Sequence, residues 1–284
     1  MRTKYILKII LFIYVISNVS VFAQTKSEKK KYSEIIPNHT ELKIIHSNII
    51  DDDYFLYIKL PSGYKDSDKN YPVIYLLDGD IAFTMAWSTV RYLQYGKHLS
   101  DVIIVGIGYG SLLSSDERNM RERDYSISAL QRLEESGGGE KFLKFIKTEL
   151  IQFIDSHYRT KPNERIINGY SIGGLFTLYV FLNENDLFSG YIAGSPYTPF
   201  DKDYLLEILQ QNSEKLRNTD TKLFISYGEL EDKEEYVIPI EDVVNKLYDS
   251  GINKNRIKKQ IFNNGSHFTC PSEAMVYGLK FIFE

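Results

Sequence analysis

Gly169-Tyr170-Ser171-Ile172-Gly173-Gly174 carries the pattern G-x-S-x-G. It stands between a β-type Ile166-Ile167 and a helix-like run from Leu175 to Leu182. A serine at so tight a strand-to-helix turn is lifted clear of the sheet edge, and side chains at 169 and 173 are expected to clash across the turn. The N-terminus of the following helix favours negative charge developing at that spot. This is the chemistry of a serine nucleophile. Such a serine needs a base, and the base needs an orienting acid. In strand–turn–helix hydrolases the chain order is serine, acid, histidine. Of the five histidines, His39, His46, His98 and His157 precede Ser171, and His267 alone follows it. It lies in Asn263-Asn264-Gly265-Ser266-His267, a loop between the last strand and the last helix. The acid is expected just after the strand Lys222–Tyr227, where Glu229, Glu231 and Asp232 compete; spacing does not separate them. An oxyanion needs two backbone N–H groups. Ile172 supplies one, and Asp80, with Gly79 as the alternative, supplies the other from the loop after Tyr71–Leu77. Trp87, in the helix after that loop, and Tyr170 and Tyr197, beside the serine and the fourth strand, are candidate walls of a binding pocket. Arg121 and Arg123 are candidate contacts for anionic groups.

The elements that must position these residues are legible from hydropathy. Leu42–Ser47 and Tyr54–Leu60 read as a hairpin around Asp51-Asp52-Asp53, an acidic turn without the spacing of a calcium loop. Tyr71–Leu77 and Asp101–Ile107 are continuous apolar runs, as parallel strands buried on both faces are. Arg165–Asn168, Gly190–Ala193, Lys222–Tyr227 and Arg256–Phe262 continue the series. Helical segments are expected at Ile81–Tyr95, Glu140–His157, Ile172–Leu182, Tyr204–Leu216, Glu234–Asp249 and Ser272–Phe283. A hairpin followed by repeated β–α units predicts an α/β fold with a mostly parallel, twisted sheet covered by helices on both faces. Gly106, Gly108 and Gly110 miss the dinucleotide pattern at Ser111, and Gly137-Gly138-Gly139 lacks the GK[ST] of a phosphate loop, reading instead as a loop entering a helix.

Composition narrows the functions. The 284 residues carry 34 Lys plus Arg against 38 Asp plus Glu, a net charge of −4, with no clustered basic surface for nucleic acid. A hydrophobic fraction of 43% is that of a globular chain. The single Cys270 permits no internal disulfide. Residues 1–23 have the form of a secretory signal peptide: Arg2, Lys4 and Lys8, an apolar run from Ile9 to Ile16, and Val21-Phe22-Ala23 before a cut at Gln24. The expected organisation is a signal peptide at 1–23, a polar tail at 24–40 and one domain at 41–284. A periplasmic or secreted location follows, with no membrane association after cleavage.

Leu60-Pro61-Ser62-Gly63-Tyr64, Tyr71 to Asp80, Gly169 to Gly174, Ser195-Pro196 and Gly265-Ser266-His267 together resemble the "putative esterase" family of α/β-hydrolases. That family includes siderophore esterases, S-formylglutathione hydrolase, and feruloyl and acetylxylan esterases. The resemblance spans about residues 40–284, and Arg121–Ser126 and Gly139–Ile146 look closest to the siderophore-esterase branch. It implies the α/β-hydrolase fold, Ser171 as nucleophile and His267 as base. The family's acid motif, glycine followed three residues later by glutamate, implies Glu231. No cofactor or metal is implied. The implied substrate is a small-molecule or glycan ester. Ser126-Ile127 replaces the branch's usual Thr-Pro, and Tyr197 replaces a small residue. A carbohydrate or feruloyl ester and a non-catalytic binding role on a hydrolase scaffold are the competing readings.

Overall fold

The computed structural model describes residues 40–111, 116–129, 136–199 and 201–284. The signal peptide and nearly all of the polar tail read from the sequence lie outside the described residues. Eight strands form one sheet in the order β1-β2-β4-β3-β5-β6-β7-β8. They are β1 Thr40–Ser47, β2 Asp52–Lys59, β3 Tyr71–Leu76, β4 Ile103–Gly108, β5 Thr160–Tyr170, β6 Gly190–Gly194, β7 Lys222–Gly228 and β8 Ile257–Phe262. β1 and β2 form the expected antiparallel hairpin, and β2 also runs antiparallel to β4. Every other pairing is parallel. This is the α/β-hydrolase fold.

Burial follows position in the sheet. Every residue of β3, β4 and β6 is buried, because helices cover both faces there. β8 is an edge strand that exposes Lys258 and Ile261, and lysine on an edge discourages further pairing. Helix α1 (Gly79–Tyr95) follows β3. A five-residue helix α2 (Arg121–Tyr125) follows β4. The predicted Glu140–His157 helix is α3 (Gly139–Phe145), a π turn (Ile146–Leu150) and α4 (Ile151–His157). Then come α5 (Ile172–Asn183), α6 (Lys202–Arg217), a second π turn (Lys233–Val237), α7 (Ile238–Asp249) and α8 (Pro271–Phe283). Among the described residues no helix is long and apolar enough to cross a membrane.

Helix α5 is apolar on all sides, and its residues from Gly173 through Leu182 are all buried. Such a helix belongs in the interior. Phe176 alone, fully buried among Tyr125, Phe142 and Tyr179, contributes roughly 2–3 kcal/mol through removal from water. The residue at the start of α5 is thus held by a helix buried along nearly its whole length.

Candidate active site

Ser171 joins β5 to α5 with φ 58 and ψ −121, a conformation costing of order 1–3 kcal/mol that surrounding structure must hold in place. Its N–H donates to the Gly194 carbonyl at 2.9 Å, and its carbonyl accepts from Leu175 and Tyr197, each at 3.0 Å. A Cβ at Gly169 would run into the Gly173 carbonyl, so the expected clash across the turn exists on that side. The second glycine has a different reason. A Cβ at Gly173 would come 3.2 Å from Asp78 Oδ2, on the neighbouring loop, and it is Gly174 that presses β6, where a Cβ would come 2.6 Å from the Gly194 carbonyl oxygen.

The loop after β7 separates the three competing carboxylates. The Glu231 N–H closes a turn onto the Gly228 carbonyl at 3.1 Å, which breaks the alternation of the strand. Glu231 then points inward: Oε1 accepts from the Gly228 N–H at 2.8 Å, and Oε2 lies 3.2 Å from His267 Nδ1. Glu229 instead accepts from the Asn264 N–H at 2.9 Å, bracing the histidine loop. Asp232 caps the π turn through the N–H groups of Glu234 and Glu235, both at 2.9 Å. The acid and histidine loops are stitched by Leu230 N–H to the Gly265 carbonyl, 2.8 Å, and Glu229 N–H to the Phe262 carbonyl, 3.0 Å. Burial pushes the Glu231 carboxyl up, but hydrogen bonds from His267, Ser195 and the Gly228 N–H outweigh it and hold the group below its ordinary value.

His267 is fixed from several sides. Tyr170 donates its hydroxyl to the His267 carbonyl at 2.7 Å, with ring centroids 5.2 Å apart. Tyr236, from the second π turn, packs against the imidazole, with ring centroids 4.5 Å apart. Ser195 Oγ donates to Glu231 Oε2 and lies 3.1 Å from His267 Nδ1. With Nδ1 engaged, Nε2 is the nitrogen left for the cavity that both Ser171 and His267 line. Such a set can move a proton from a serine hydroxyl to imidazole while a carboxylate compensates the charge.

On the other side of Ser171 is the loop from β3 into α1. Asp78 adopts a left-handed conformation, φ 53 and ψ 42. Arg121 holds it with a two-pronged contact, Nε to Oδ1 at 2.8 Å and an NH group to Oδ2 at 3.1 Å. The Asp78 N–H donates to the Tyr125 hydroxyl at 3.0 Å. The Asp80 carboxylate accepts from the N–H groups of Tyr109 and Gly110 at 2.6 and 2.9 Å and from the Tyr57 hydroxyl at 2.7 Å. Asp80 and Ile172 both stand in the first turn of their helices, where N–H groups have no intrahelical acceptor. Neither N–H group has an acceptor within its own helix.

A cavity of about 550 Å³ opens over these residues. Ile81, Ala82, Met85 and Phe268 give it an apolar wall beside Asp80, Arg121, Tyr170, Ser171 and His267. Phe268 is 90% exposed at its rim. Several expected pocket residues are placed elsewhere. Arg123 is bonded to Asp124, Asp52 and Tyr54 and is not among the described lining residues. Residues two apart on a helix face apart, so Arg121 and Arg123 cannot share the cavity. The same spacing turns Trp87 away from Met85, half-buried against the core that α1 and α8 pack. Gly79 serves packing: a Cβ there would meet the Gly106 carbonyl carbon at 2.6 Å. Tyr197 packs on Tyr236, with centroids 5.2 Å apart. Ser195 and Tyr236 were not expected at the site. A polar residue directly after a central parallel strand, as Ser195 is after β6, is the signal that could have drawn attention to it. Among the described residues no cluster of His, Cys, Asp and Glu could hold a metal ion.

Comparison with known proteins identifies the family of the chain. The family described as "Putative esterase" matches residues 47–242. The chain is 32% identical over 207 residues to the ferri-bacillibactin esterase BesA of Bacillus subtilis, covering 68% of this chain and 71% of that protein. It is 28% identical over 135 residues to an apo-salmochelin esterase of Escherichia coli, covering 44% and 41% of the two chains. The crystal structure of the BES protein from Bacillus cereus superposes with a TM-score of 0.76 at 26% identity, covering 88% of this chain and 97% of that one. The chain belongs to the Putative esterase family of α/β-hydrolases and is an ester hydrolase.

Proposed function

We propose that this ester hydrolase is a serine esterase acting through an acyl-enzyme, with Ser171 as nucleophile, His267 as general base and Glu231 as the orienting acid. The observation that carries the reading is Ser171 held at positive φ on the cavity floor beside a histidine whose Nδ1 meets a buried carboxylate. Ser171 Oγ adds to the ester carbonyl while His267 Nε2 takes its proton. The oxyanion is met by the N–H groups of Ile172 and Asp80. As the intermediate collapses, the bond to the leaving alkoxide breaks and His267 protonates it. Water, deprotonated by His267, then attacks the acyl-enzyme; as this second intermediate collapses, the bond to Ser171 Oγ breaks, His267 returns the proton to Ser171 Oγ, and the acid leaves.

The substrate class we infer is a siderophore ester of the catecholate trilactone type. The relatives named for siderophore ester hydrolysis support it, and the cavity adds an apolar wall for aromatic rings with one polar, charged side. We further infer that residues 1–23 direct export, placing the enzyme in the periplasm or outside the cell. A hydrolysis panel tests the substrate: ferric and iron-free trilactone siderophores, feruloyl esters, acetylated sugars and short nitrophenyl esters. The trilactones are expected to give the largest kcat/KM, with turnover lost in Ser171→Ala. A preference for feruloyl or acetyl esters overturns the substrate class, and turnover retained by Ser171→Ala overturns the mechanism.

A further inference from the structure

Ser195 sits one residue beyond β6, wholly buried, with φ 40. Non-glycine residues rarely adopt positive φ, and here the conformation aims the hydroxyl at the acid–base pair. Ser195 Oγ donates to Glu231 Oε2, the same oxygen that lies 3.2 Å from His267 Nδ1, and is itself 3.1 Å from that nitrogen. The backbone is anchored by the Ser195 N–H on the Ser226 carbonyl at 2.7 Å. The three side chains thus form a closed triangle, and the Nδ1–H can be shared between a carboxylate oxygen and a hydroxyl oxygen. Ser195 does not line the cavity.

We propose that Ser195 is a positioning residue for the acid–base pair: its hydroxyl fixes the Glu231 carboxylate and tempers how strongly that carboxylate holds the His267 imidazolium. The inference rests on the serine-esterase reading. A buried carboxylate needs hydrogen-bond donors. Glu231 has the Gly228 N–H on Oε1, while Oε2 must serve His267 and is steadied by Ser195. A donor to a carboxylate draws off charge density that would otherwise stabilise the imidazolium. Removing it therefore leaves Glu231 freer to rotate and its charge less tempered.

Other groups around the pair are few. Tyr170 from β5 and Tyr236 from the π turn are phenols that burial pushes above their ordinary value. Cys270, ahead of α8, is a thiol raised by burial. Glu229 is turned to the Asn264 N–H. Glu231 is therefore the one carboxylate within hydrogen-bonding distance of the imidazole among the described residues, and the one Ser195 touches.

The test compares Ser195→Ala and Ser195→Gly with the parent enzyme on a nitrophenyl ester across pH. Glycine accepts φ 40 without strain, so it removes the hydroxyl even where alanine fails to fold. Both variants are expected to lose about 10-fold or more in kcat with KM unchanged. The acid limb of the kcat/KM profile should shift by about half a pH unit, because the hydroxyl faces both the carboxylate and the imidazole Nδ1. In a Glu231→Gln background, Ser195→Ala should cost less than about 3-fold, because its partner is gone. An unmoved acid limb, or losses that multiply in the double variant, overturns the inference. Ser171→Ala separates the two levels. If it retains turnover, the serine reading fails; if it is inactive while the Ser195 variants behave as the parent, the inference alone fails.

Discussion

The two sides of Ser171 use charge in opposite ways. On the side of β6 and β7, a buried carboxylate, Glu231, touches the imidazole directly, and its other partners are neutral donors, Ser195 and the Gly228 N–H. On the side of β3 and β4, two carboxylates and a guanidinium sit by the cavity, yet their partners are structural. Asp80 is spent on Tyr57, Tyr109 and Gly110, and Asp78 on Arg121. What that side offers to chemistry is backbone N–H. Side-chain charge can serve as a reagent on one side because it is solitary and oriented. On the other it serves as a brace, since a free carboxylate beside an oxyanion site would oppose the charge that must develop there.

Removing the reagents should produce the largest losses. Ser171→Ala and His267→Ala are each expected to lower kcat by at least about 10³-fold, with the double variant little worse, because the groups act as one unit. Steady-state kinetics on a nitrophenyl ester measures this. Glu231→Gln should cost about 10²–10⁴-fold. Glu229→Gln and Asp232→Asn, which brace loops, should each cost less than about 10-fold on the same assay.

Smaller effects should distinguish the two arginines. Arg121→Gln leaves the Asp78 carboxylate unpaired beside the N-terminus of α5, and kcat should fall about 10–10²-fold with only modest loss of stability. Arg123→Gln should do the reverse. Asp124 is 1% exposed and loses its guanidinium partner, so denaturant unfolding should report a loss of about 3 kcal/mol, while kcat in the folded enzyme stays near that of the parent.

The least of these effects is on stability against acid. The Glu231 carboxyl is held below its ordinary value in the folded chain. Its contribution to stability is therefore present above the unfolded carboxylate value, about 4.3, and is lost as pH falls through the lower folded value. Unfolding measured at neutral and acid pH should show a shallower acid loss for Glu231→Gln than for the parent.

The central strands were legible in the sequence because buried parallel strands are unbroken apolar runs, as in β3 and β4, and the hairpin β1–β2 was legible from its acidic turn. Helix α2 was not, because five residues are too few to show a period. It matters to the site, since it is this helix that sends Arg121 to Asp78 and Arg123 to Asp124. Ser171 and His267 could be read from motif and chain order. The choice among Glu229, Glu231 and Asp232 could not be made from spacing, because the turn at Gly228 destroys strand parity. Only the family-like spacing from Gly228 favoured Glu231, the residue whose carboxylate meets the imidazole. Tyr236 escaped notice because a π turn brings it over His267, and no sequence period marks such a turn.

The chemistry turns on the Ser171 hydroxyl. Incubation of the folded protein with a fluorophosphonate, followed by intact mass and peptide mapping, tests it most directly. We expect one adduct per chain, located on Ser171, formed in step with loss of esterase activity, and absent from Ser171→Ala. An adduct on another residue, or full activity in a protein labelled at Ser171, would contradict the account.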